Sequence, residues 1–91
     1  MARIRTVKPE TFKHEELFDI EKLTGLPIRL AWIGLFCVAD REGRFKWKPR
    51  ALKSDVLPFD EEIDFEKILE ALWIHGLIVK YTKGGEYFAL I

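Results

Sequence analysis

The chain has 91 residues, 48% apolar, 13% aromatic and 33% charged, a globular composition with room for one hydrophobic core and not two. Fifteen basic and fifteen acidic side chains cancel to zero net charge, and a single cysteine excludes an internal disulfide or a cysteine zinc cluster. The longest apolar stretch, Leu30 to Ala39, is about half a membrane span. A chain this short buries only ~60–65% of its unfolded surface, so most of the seven Phe and three Trp are expected in the core. The lone thiol fits a reducing cytoplasm. The opening Met1-Ala-Arg-Ile-Arg-Thr-Val-Lys8 alternates charge and has no apolar block, so no secretory signal is expected.

In chain order, residues 1–11 read as an extended basic arm that stops at Pro9, with Ile4 and Val7 as docking points. Residues 14–24 place Leu17, Phe18, Ile20, Glu21 and Leu23 on a helical repeat closed by Gly25. Pro27 suits a first helical turn, and Pro27 to Ala39 is apolar almost all round, which predicts a central buried helix with Cys37 as a packed thiol. After a turn at Asp40-Arg-Glu-Gly43, Arg44-Phe-Lys-Trp47 alternates as a short strand. Pro49 opens a short helix that runs from Arg50 to about Leu57 and ends at Pro58. Beyond an acidic loop, Asp64 caps a helix with Ile68, Leu69, Leu72 and Trp73 on its stripe, terminated by Gly76. Leu77 to Tyr81 and Glu86 to Ile91 read as strands joined at Thr82-Lys83-Gly84-Gly85. From residue 27 to 91 the order is helix, strand, helix, helix, strand, turn, strand. This is the winged helix-turn-helix order, with the first strand pairing onto the ribbon as a three-stranded sheet. The expected fold is therefore α+β, one winged-helix domain with an additional N-terminal helix and a basic arm.

Charge is distributed in blocks. Arg41 to Lys53 holds six basic residues against Glu42 alone, whereas Ser54 to Glu70 holds seven acidic residues against Lys67 alone. The local field therefore matters more than the sum.

Several segments carry a resemblance: Met1-Ala-Arg-Ile-Arg-Thr-Val-Lys-Pro-Glu10, Leu26-Pro-Ile-Arg-Leu-Ala-Trp-Ile-Gly-Leu-Phe36, Ala39-Asp-Arg-Glu-Gly-Arg-Phe45 and His75-Gly-Leu-Ile-Val-Lys-Tyr81. Together they resemble the N-terminal winged-helix domain of phage and prophage replication initiators of the replisome-organiser type. The resemblance covers nearly the whole chain, although nothing up to Ile91 corresponds to the family's C-terminal part. It implies binding of origin DNA in the cytoplasm of a bacterial host, with the helicase or its loader contacted by the C-terminal part.

Read from the residues, Arg44, Lys46 and Lys48 share one strand face while Phe45 and Trp47 face the core. Arg50 and Lys53 lie one turn apart on the next helix, and Lys80 and Lys83 flank the wing. With Arg3, Arg5 and Lys8 of the arm they are expected to make a phosphate-contacting surface or a minor-groove arm. The competing reading is a solvated face, or pairing with the acidic loop. The helix beginning at Asp64 offers Lys67 and His75 to bases but surrounds them with carboxylates, which repel a polyanion. Complementary basic and acidic faces also suit a homodimer or a replication-protein partner. In that case Phe59 and Phe65 either anchor the partner or tuck the loop onto its own core. No metal spacing, phosphate loop or catalytic pair stands out, so no enzyme activity, metal or cofactor is expected.

Overall fold

A computed structural model describes residues 14–91; the arm call, residues 1–11, lies outside the described residues. Within them the chain forms four helices and a three-stranded antiparallel sheet, a small α+β fold.

Helix α1 spans Glu15–Thr24. His14 caps it, Nδ1 accepting the Leu17 N–H at 3.4 Å, and Glu15 and Glu16 suit the positive end of the dipole. Gly25 ends it with φ 72°, its N–H donating to Glu21 O at 2.8 Å, a backbone geometry that favours glycine. Helix α2, Ile28–Val38, packs against α1, and Arg29 Nε reaches Glu21 Oε2 at 2.6 Å.

Asp40 shapes the turn into β1 (Arg44–Lys46): its carboxylate accepts the N–H groups of Glu42 and Arg44 at 3.0 and 2.8 Å. Pro49 sits at the start of α3, Pro49–Val56. Helix α4, Phe65–Ile74, begins where Asp64 accepts the Glu66 N–H at 3.1 Å. It ends in a Schellman turn, with Gly76 N–H on Trp73 O at 3.0 Å and Leu77 N–H on Leu72 O at 2.9 Å. That turn consumes Leu77, so β2 is Val79–Lys83 and not Leu77 to Tyr81. Gly84 and Gly85, φ 60° and 82°, make the two-residue hairpin loop into β3, Glu86–Leu90.

The strand order is β1-β3-β2. Phe45 pairs with Ala89 and Ala89 with Lys80, so these three share the face toward the helices. Lys46, Phe88 and Tyr81 form a row on the opposite, outward face. The core joins Leu17 and Ile20 of α1, Ile28 and Leu35 of α2, and Ile68, Leu69 and Leu72 of α4, all at most 1% exposed.

Three expectations about burial are corrected. Helix α2 is not enclosed: Leu30 is 57% exposed and, with Ile33, Gly34 and Cys37, lines an open groove of about 390 Å³ against Val56 of α3. A small domain has too few elements to surround a helix. The aromatic residues are also divided. Phe45, Phe65, Trp32 and Trp47 are buried, while Phe18, Phe59 and Trp73 are exposed. On α1 only Leu17 and Ile20 of the predicted repeat are buried; Leu23 faces solvent.

Candidate nucleic-acid interface

The basic block separates into three environments. Arg44 is drawn into the turn: its Nε lies 2.8 Å from Asp40 Oδ2 and its guanidinium 3.2 Å from Glu42 Oε2. The Arg44 backbone N–H, and then its guanidinium, hold the Asp40 carboxyl below the usual aspartate range. The Asp40 side-chain hydrogen bond in turn raises the already high Arg44 pKa. Arg44 thus shares its charge with two carboxylates in the turn, although its side chain remains half exposed. Lys53 is half-buried and turns its Nζ toward Leu57 O, 3.5 Å away, at the C-terminal end of α3, where a cation suits the helix dipole.

Lys46, Lys48 and Arg50 behave differently. All three are exposed, and none has a carboxylate within ion-pair distance among the described residues. They form a short strip running from β1 into the first turn of α3. Phe45 and Trp47, the residues on either side of Lys46, are buried at 6% and 9% exposure, as alternation required. Lys83 is exposed at the wing tip on the same outward face as Lys46, opposite Glu86. Between the two lysines, Tyr81 and Phe88 stack at 5.7 Å between ring centroids and 19° between planes. A groove of about 580 Å³ runs along this face.

Lys80 lies on the other side of the sheet, toward the helices. Its Nζ is 4.2 Å from the Trp47 ring centroid, 4.6 Å from Tyr87 and 5.0 Å from Trp73. Trp47 and Trp73 meet edge to face at 6.1 Å. The buried Trp47 Nε1 has no hydrogen-bond acceptor among the described residues. No sequence pattern signalled this cage, because it depends on the β2–β3 register and on how α4 lies against the sheet.

The acidic side is equally defined. Glu66, Lys67 and Glu70 are the exposed charged positions of α4, so Lys67 stands between carboxylates. The two loop aromatics part company: Phe65 is 2% exposed and part of the core, while Phe59 is 94% exposed beside Asp60, Glu61 and Glu62. Arg3, Arg5 and Lys8 lie outside the described residues.

Among the described residues no group of three or more His, Cys, Asp or Glu side chains is placed to hold a metal. No helix there is long and apolar enough to cross a membrane. Comparison of the chain with family models, curated proteins and solved structures finds no significant match.

Proposed function

We propose that the chain is a DNA-binding winged-helix domain of the kind that opens phage-type replication initiators, holding duplex phosphates with Lys46, Lys48, Arg50 and Lys83. The observation that carries this reading is the strip of three exposed cations with no ion-pair partner among the described residues, on a fold whose strand order β1-β3-β2 is compatible with a winged helix. Exposed lysines and arginines bind phosphate by releasing counterions, so affinity is salt-dependent and largely indifferent to sequence. Base readout by α4 is disfavoured by Glu66 and Glu70, and the contribution of Lys67 is small.

The test is fluorescence anisotropy of a labelled duplex titrated with the chain across a range of salt. Binding should weaken steeply with salt, and Lys46→Ala, Lys48→Ala and Arg50→Ala combined should flatten the log–log slope by about 2–3. A duplex that does not bind at low salt refutes this reading. A second reading, a module that docks a protein partner or a second copy, is favoured by Phe59, exposed among three carboxylates. Sedimentation of the same sample separates the two, because self-association raises the mass with concentration and duplex binding does not require it.

A further inference from the structure

We propose that the cleft between Trp73 and Tyr87 binds an unpaired nucleotide of a DNA strand, its base stacking on those rings and its phosphate taken by Lys80. This deepens the reading above and rests on the domain meeting nucleic acid.

Three rings converge on one ammonium, and Lys80 Nζ has no carboxylate within ion-pair distance among the described residues. The cage is thus already filled by a cation, which excludes a second cation and leaves an unneutralised positive charge at a fixed position. Trp47 forms the buried wall, while Trp73 and Tyr87 are 44% and 55% exposed. The opening between them, about 340 Å³, is lined by Trp73, Lys80, Tyr81, Thr82 and Tyr87. Exposed aromatic faces beside a held ammonium match a group that is both planar and anionic. A nucleotide is such a group, and only an unpaired one offers its base face, since duplex bases are covered by their neighbours. Thr82, on the same sheet face as Lys80, adds a hydroxyl.

The probe is a labelled oligothymidylate, measured by anisotropy against the full chain beside a blunt duplex. Oligothymidylate should bind, and Tyr87→Ala should weaken it about tenfold, the loss expected for one stacked base. Tyr87→Phe should restore it, and duplex affinity should stay unchanged in Tyr87→Ala. Tyr87 is more than half exposed, so these changes remove little core packing, and the Phe variant separates stacking from misfolding. Oligothymidylate that does not bind, or that binds Tyr87→Ala and Trp73→Ala as tightly as the parent chain, overturns the proposal. Oligothymidylate binding that is lost in Tyr87→Ala, without any duplex binding, supports the cleft and refutes the duplex reading alone.

Discussion

Lys80 Nζ lies 4.2 Å from the centroid of the Trp47 ring, a contact that ties β2 to the segment after β1 across the intervening strand β3. Ala89, opposite both Phe45 and Lys80, is the smallest side chain on that face and leaves the path open. The two outer strands are thus joined by an attraction as well as by the ladder. Lys80→Ala should lower stability by about 1–2 kcal/mol, the value of a partly desolvated cation–π contact. In a domain of this size that is a fall in Tm of roughly 4–8 °C per kcal/mol, read by thermal denaturation. Lys80→Arg should retain most of it.

Gly34 marks the close approach of α2 and α3. A Cβ there would meet Val56 Cγ2 at 3.1 Å and Cβ at 3.2 Å, with Cγ1 nearer still. Gly34→Ala should therefore destabilise the fold by about 1–3 kcal/mol through overpacking, despite the better helix propensity of alanine. Adding Val56→Ala should recover part of the loss, and a double-mutant cycle by urea denaturation measures the coupling.

Asp40 makes stability depend on pH in a known direction. Its folded pKa is lowered, chiefly by the Arg44 backbone N–H and then by the guanidinium. Its contribution is therefore present above the ordinary aspartate value of ~3.9 and lost as pH falls through the lower folded value. Asp40→Asn keeps an acceptor for the turn but removes the charge. Its Tm should lie below that of the parent at neutral pH, and the gap should narrow in acid. A gap that stays constant across the titration contradicts the assignment.

The hairpin tip offers a stabilising change. Gly84 and Gly85 both have positive φ, and nothing lies within 4 Å of a Cβ at either position. Asparagine tolerates the left-handed region, so Gly84→Asn creates the favoured Asn-Gly pair and restricts the unfolded chain. It should raise stability by about 0.4–1 kcal/mol, whereas Gly85→Val should lower it. Thermal melts of both variants check the pair.

The order of elements was legible because its signals are local. Asp64, Pro49, Gly25 and Gly76 each mark a helix end where the structure has one, and the paired glycines mark the hairpin. The ion pairs of Arg44 were also written locally, in the spacing of Asp40 and Glu42 around one turn. What could not be read was tertiary. The outward face of α2 depends on how many elements remain to cover it. The later start of β2 follows from a carbonyl on Leu72 that needs a donor. Lys80 entered its cage because a register of strands and the placement of Trp73 on α4 brought three distant rings together.

Among the described residues strand β2 pairs with β3 on one side only, so its other edge offers them no backbone partner and is a template on which a further strand can add. Val79, 59% exposed, adds an apolar foothold there. Lys80 and Lys83 sit on this strand as gatekeepers, since a second chain laid against it would have to bury or approach their charge. The lysines proposed to attract phosphate thus also guard the domain against aggregation. Removing both charges to abolish binding would expose a sticky edge at the same time.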